Sequence, residues 1–355
     1  MRLIGLRVGI LINTVLVTLL LPLLGCNTTS HPAEVAKKEL RIPRVTKPWS
    51  EAFLVVGDDK TLCSDFALIK DKLGQWHCIG TFGKDVNGAG NGYAGSDGYA
   101  LFHAVGNSLS EPMMFTNKIR YQIKSPQAFM WAPAVIWNQN STVAYLYYFH
   151  FFGSYSPIID QSGCRLLTSS SPDLSIWLPY AGNDLPEQNL VFRDIVDRDF
   201  CVFWDARLGK YLMYYCADAL KARTSKDLVH WSDPVTVLRD ATGSPHGYAE
   251  SPQVIYRNGY YYLWSSGIDY SHTHLYISED PFNFGDAVAN SIEETPGHAP
   301  EIVSDHGRDY MACSIVSTVP SATPAAHDLD GILIQPLRWA KADADMAARV
   351  TRKRQ

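Results

Sequence analysis

One six-residue pattern occurs five times along the 355-residue chain, and it limits the possible folds more than any other feature. The copies are Ser64-Asp-Phe-Ala-Leu-Ile69, Trp131-Ala-Pro-Ala-Val-Ile136, Arg198-Asp-Phe-Cys-Val-Phe203, Glu250-Ser-Pro-Gln-Val-Ile255 and His298-Ala-Pro-Glu-Ile-Val303. Each begins with a polar or large residue, continues with a small or acidic one, then Pro or Phe, and closes on an apolar pair. Their starts lie 67, 67, 52 and 48 residues apart. Behind each copy a turn leads into a strand rich in aromatic residues. Asp205–Lys210 precedes Tyr211–Tyr215 and Arg257–Gly259 precedes Tyr260–Trp264, and such a turn between β-formers reads as a hairpin. A third element follows: Ser171-Pro-Asp-Leu-Ser-Ile-Trp177, Ser225-Lys-Asp-Leu-Val-His-Trp231 and Ser278-Glu-Asp-Pro-Phe-Asn-Phe284, with Ser108-Leu109 as a degraded copy. There Ser and Asp start a turn, and the last aromatic packs under the next strand. Five such units predict an all-β chain folded as a five-bladed β-propeller with about four strands per blade. A two-sheet sandwich would not demand five similar units. The pattern-bearing strands are the innermost, so the five hexamer heads are expected at one mouth of the central funnel.

The flanks read differently. Residues 1–25 hold only two charges, Arg2 and Arg7, ahead of the apolar run Val8–Leu24, which is the layout of a signal peptide. It ends in Leu23-Leu24-Gly25-Cys26, which resembles the lipobox of bacterial lipoproteins; a single membrane anchor is the alternative. On the lipobox reading Cys26 is lipidated and the mature protein is exported and tied to a membrane. Asn27 does not resemble the aspartate that retains lipoproteins at the inner membrane, so the outer membrane or cell surface is the expected place. Residues 26–50, with Pro32, Pro43 and Pro48, read as a tether. Residues 51–340 read as the propeller, closed by Ile332–Trp339. Residues 341–355 read as a tail with a short surface helix and a solvated basic end.

Without Arg2 and Arg7 the chain has 29 basic and 36 acidic residues. A nucleic-acid binder needs the opposite sign, so no nucleic-acid partner is expected. Aromatic residues make up 12% of the chain, which suits sugars, whose apolar faces stack on rings. No paired-cysteine or Cys/His spacing suggests a zinc site. Cys63/Cys78 and Cys201/Cys216 each lie on neighbouring strands, either as bridges or as buried thiols. Gly90-Asn-Gly92-Tyr-Ala-Gly95 matches a dinucleotide fingerprint, yet no helix follows it and that reading fails. Val86–Gly98 reads instead as a loop beside the funnel, shaping a subsite. His77, His103 and His150 sit in aromatic strands and read as packing residues.

Three hexamers place a carboxylate at or beside the head: Asp65, Asp199 and Glu250. The other two contribute Trp131 and His298. A single strand-end acid is explained by hydrogen bonds to loop amides. Three at corresponding places in a repeat suggest a site, and two carboxylates flanking a bond are the minimum for glycoside hydrolysis. A third acid nearby raises the donor's pKa by like-charge repulsion. Trp131 either stacks on a sugar ring or fills the wall. Arg198 either bonds sugar hydroxyls or pairs with a neighbouring carboxylate.

These motifs resemble the five-bladed propeller glycoside hydrolases, family 43 above all, with families 32, 68 and 117 as relatives by fold. The resemblance covers about residues 55 to 340. It implies Asp65 as general base, Asp199 as the residue that tunes pKa and orients substrate, and Glu250 as general acid. Trp131-Ala-Pro matches the second-blade motif. His298 matches a histidine that in several members approaches a central calcium through water, so a possible structural calcium is implied and no required cofactor. Phe66 and Phe200 stand where the family has proline. The nucleophile motif and the Glu-Cys acid motif of family 32 are absent, and Glu250 stands where family 117 uses histidine. The expected activity is inverting hydrolysis of oligo- or polysaccharides, of arabinofuranoside or xyloside type, by a monomer. The rivals are a non-catalytic glycan-binding lipoprotein and a fructan-acting retaining enzyme of the family 32 or 68 type.

Overall fold

The computed structural model describes residues 39–47, 53–56, 61–84, 100–116, 118–120, 128–152, 163–180, 190–192, 198–239, 250–267, 272–316 and 329–351. The leader, Cys26 and the Val86–Gly98 loop with its glycine motif lie outside them.

Among the described residues the strands form five sheets, each led by one hexamer-bearing strand and antiparallel except where Val235–Arg239 pairs parallel with Gly285–Asp286 at the edge of blade three. These inner strands are Thr61–Lys70, Ala128–Trp137, Arg198–Asp205, Glu250–Arg257 and His298–Asp305. The second strands are the aromatic runs, such as Lys210–Cys216 and Tyr260–Ser266. The chain is thus the five-bladed propeller that the repeats predicted.

The aromatic runs show no polar alternation because both of their faces are buried. Tyr211, Met213 and Tyr215 pack against blade two, whereas Leu212 and Tyr214 pack against blade four. Tyr261 and Leu263 face blade three; Tyr262 and Trp264 face blade five. The core is accordingly five apolar layers, one between each pair of neighbouring blades. Each buried tyrosine hydroxyl needs a partner, and several find a carbonyl of an adjoining segment. Tyr214 donates to Pro281 O at 2.8 Å and Tyr262 to Arg41 O at 2.8 Å.

The Ser-x-Asp turns behave as read. Asp227 Oδ1 accepts from the amides of Val229 and His230 at 2.9 and 2.8 Å, closing the turn, and Leu228 at φ 68° is fully buried beneath it. Phe284 and Trp231 pack into the layers beside blade three.

Closure of the ring differs from the sequence expectation. The segment read as a tether contributes a strand, Arg41–Val45, which pairs antiparallel with Leu329–Lys341 from Arg41↔Lys341 to Val45↔Leu337. Phe53–Val56 joins the same strand further along. The first strand among the described residues therefore completes the last blade, and Pro43 is tolerated because this is an edge. The tail also packs: the helix Ala344–Thr351 lays Met346, Ala347 and Val350 on the layer between blades four and five.

All six cysteines among the described residues are buried and none forms a disulfide, so neither candidate pair is a bridge. Ladder register gives the reason, since Cys63 faces Phe82 and Cys78 faces Leu68. Similarly Cys201 faces Tyr214, and Cys216 faces Arg198. His77 and His103 do pack inside blade one, but they also form a buried chain. His77 Nδ1 lies 2.7 Å from His103 Nε2, and His77 Nε2 lies 3.1 Å from Asp71 Oδ2. Burial, and then the charge of His77, pushes the His103 ring down to about 4. His150 is buried beside Tyr148, edge to face at 6.4 Å.

Candidate active site

Each hexamer carries the same backbone irregularity. In all five inner strands the pairing slips by one residue: between Ser64 and Phe66, Trp131 and Ala134, Arg198 and Cys201, Glu250 and Gln253, and His298 and Glu301. The second residue of each hexamer sits in the left-handed region, with φ of 34° at Asp65, 49° at Ala132, 60° at Asp199, 47° at Ser251 and 49° at Ala299. A bulge inserts one residue, bends the strand and re-aims a side chain. It also frees one amide from the ladder, which is why Pro133, Pro252 and Pro300 are accepted at the third position. Non-glycine residues at positive φ cost about 1 kcal/mol or more each and cluster where backbone strain serves a site. Five on one ring mark the axis as that place.

The bulges line one axial cavity with Asp65, Ala132, Asp199, Ser251 and Ala299, the third residue of every hexamer, and Glu301. Phe66 and Phe200, which stand where the other three hexamers have proline, belong to this lining. Phe66 is accommodated by Gly80, where a Cβ would come within 2.9 Å of Phe66 Cβ and 2.5 Å of Phe102 Cε1. Phe200 extends into the layer between blades two and three.

Of the sequence-derived site residues, Asp65 and Asp199 reach the cavity. Glu250 and His298 are buried, are not among the lining residues, and are joined to the two aspartates directly or through Arg198. His298 Nε2 lies 3.2 Å from Asp65 Oδ1. Arg198 bridges the other two acids: its Nη2 grips Glu250 Oε1, and its Nε stands 3.5 Å from Asp199 Oδ2. The pairing alternative for Arg198 is therefore the one observed in the free protein. Trp131 is half-buried at the head of blade two and lies outside the cavity lining.

Two aspartates in one cavity are pushed in opposite directions. Burial raises Asp65, but the hydrogen bond and charge of His298, followed by the charge of Arg198, more than offset it and hold its carboxyl below the usual range. Burial raises Asp199, and the nearby charge of Asp65 adds to it, so Asp199 stands above the usual range despite Arg198. Two acids facing one cavity, one held below and one above the usual carboxylate range, are the parts of acid–base chemistry.

Two residues of this site were not singled out from the sequence. Ser251 donates its amide to Asp199 Oδ2 at 3.1 Å and its hydroxyl to Asp65 Oδ1 at 3.4 Å. Glu301 is the fourth residue of its hexamer, where the other copies have Ala67, Ala134, Cys201 and Gln253, so the repeat gave no signal for an acid there. Burial pushes it up to about 8, which keeps it protonated near neutral pH. Its unfolded counterpart titrates near 4.5, so the folded chain binds one more proton between about 4.5 and 8. Stability from this group is complete below 4.5 and is lost as pH rises through 8. The unfolding free energy of the wild type minus that of Glu301→Gln should fall by about 1.4 kcal/mol per pH unit across this window. Urea melts at stepped pH check this, and a constant difference would contradict it.

Among the described residues no group of three or more His, Cys, Asp or Glu side chains could hold a metal ion. They do not fit a directly ligated calcium.

No family model matches the sequence, and no curated protein is similar to it. Solved structures are similar in fold. A thermostable family-43 glycoside hydrolase superposes with a TM-score of 0.59 at 15% identity, covering 82% of this chain and 94% of that one. The GH43 endo-arabinanase from Bacillus licheniformis gives 0.56 at 16% identity, covering 82% and 98%. The β-xylosidase RS223 gives 0.54 at 15% identity, covering 83% and 97%. The chain shares their propeller fold. At such identity the likeness concerns architecture, and the chemistry has to be argued from the residues.

Proposed function

We propose that this propeller is a glycoside hydrolase that cleaves oligo- or polysaccharides of arabinofuranoside or xyloside type with inversion. The observation that carries the reading is the ring of five bulged strands, which aims Asp65 and Asp199 into one cavity and holds Glu250 beside them through Arg198. Similar folds named as an arabinanase and a xylosidase support the substrate class. Asp65, ionised under His298, is the base that takes a proton from water. Glu250 is the acid that protonates the leaving oxygen. A carboxylate gripped by a guanidinium has no proton to give. Donation therefore requires Arg198 to release Glu250, whose carboxylate then takes up a proton from solvent before passing it to the leaving oxygen; a sugar hydroxyl that takes over the guanidinium would permit this. Asp199 holds Arg198 from the other side and orients it.

A second reading rests on the raised carboxyl of Asp199. It faces the cavity, and on this reading Asp199 itself is the donor and Glu250 the anchor of Arg198.

The exported, Cys26-anchored address belongs to the same proposal, since surface-bound hydrolases meet polymeric substrates outside the cell. Turnover on a panel of aryl glycosides and arabino- and xylo-oligosaccharides, with product analysis, tests the activity. Binding without any turnover would favour the glycan-binding rival. Cleavage of sucrose or levan would favour the fructan-acting one.

A further inference from the structure

Asp65 has two carboxylate oxygens, and the structure treats them differently. His298 Nε2 at 3.2 Å and Ser251 Oγ at 3.4 Å both address Oδ1. Oδ2 receives no hydrogen bond among the described residues. Two donors from two different blades, four and five, thus converge on one oxygen of a residue that lines the cavity and leave the other oxygen without a donor among the described residues. Ser251 can take part only because of its backbone. At φ 47° its amide points to Asp199 while its hydroxyl points to Asp65, and both residues line the cavity with it. The corresponding residues of blades two and five are Ala132 and Ala299, so the hydroxyl is peculiar to the blade that carries Glu250.

We propose that Ser251 is a positioning residue that, together with His298, fixes Asp65 by Oδ1 so that Oδ2 is the atom that takes the proton from water. The proposal rests on the hydrolase reading, with Asp65 as base. A carboxylate held by one donor alone can rotate about its Cβ–Cγ bond and exchange its oxygens; a second donor on the same oxygen, from another direction, suppresses this. Proton transfer needs the accepting oxygen within hydrogen-bond reach of the water, so orientation bears on the chemical step.

Kinetics of Ser251→Ala and Ser251→Gly on a panel substrate turned over by the wild type test the assignment. Both variants remove the hydroxyl and keep the amide on Asp199. They differ in backbone: glycine adopts φ 47° without strain and alanine does not, so their melting temperatures should diverge. The expected result is an equal fall in kcat, about tenfold, in both variants with KM unchanged, as for loss of one hydrogen bond to a charged group. A kcat that tracks melting temperature would make the role structural and overturn the proposal. A raised KM at unchanged kcat would make Ser251 a sugar contact and also overturn it. The hydrolase reading fails separately: it falls if Asp65→Asn turns over normally. An inactive Asp65→Asn beside a Ser251→Ala of wild-type kcat sinks only the Ser251 assignment.

Discussion

Asp65→Asn is expected to lower kcat/KM by about 10²- to 10⁴-fold on every substrate, whatever its leaving group. Activating water is required in all cases, and the amide cannot accept the proton. The substitution keeps a carbonyl oxygen where Oδ1 stands, so the donors His298 and Ser251 retain an acceptor. Folding should survive, and a cooperative melt near the wild-type temperature would verify it. A series of aryl glycosides of graded leaving-group ability provides the measurement. A folded variant with normal turnover would remove Asp65 from the chemistry.

Glu250→Gln is expected to behave selectively. A leaving oxygen of poor ability needs a proton in the transition state, and one of good ability does not. The variant should lose about 10²- to 10⁴-fold on poorly activated glycosides and only a few-fold on the best aryl leaving groups. Glutamine keeps an oxygen for Arg198, whereas alanine would strand a half-buried guanidinium and confuse stability with catalysis. Asp199→Asn, run in parallel, decides between the two donors. If the leaving-group dependence follows Asp199 instead, the acid is Asp199 and Glu250 serves to hold Arg198.

Much of this architecture could be read from the hexamers because each marks the same structural event, an inner strand interrupted by a bulge. Acidic and proline residues are unusual inside strands, and their recurrence at the second and third positions records the left-handed residue and the amide freed from the ladder. Asp65 and Asp199 were legible for that reason. The closing strand Arg41–Val45 was not: five residues with a proline and two arginines carry no strand period, and their partner lies almost 300 residues away in sequence. Ser251 was hidden because its part in the site depends on a φ angle and an amide. Glu301 was hidden because burial, not residue type, gives it its proton. The choice of Arg198 between sugar and carboxylate, like the lack of disulfides among the described cysteines, depends on register and distance that a sequence does not display.

The most direct test of the central claim is the anomeric configuration of the first sugar released, followed by proton NMR before mutarotation equilibrates it. Inverting enzymes place water between base and sugar, whereas retaining ones attack with the carboxylate itself. With Asp65 acting on water, the account predicts that the new hemiacetal appears with configuration opposite to that of the cleaved bond. A product that first appears with its configuration retained would contradict it.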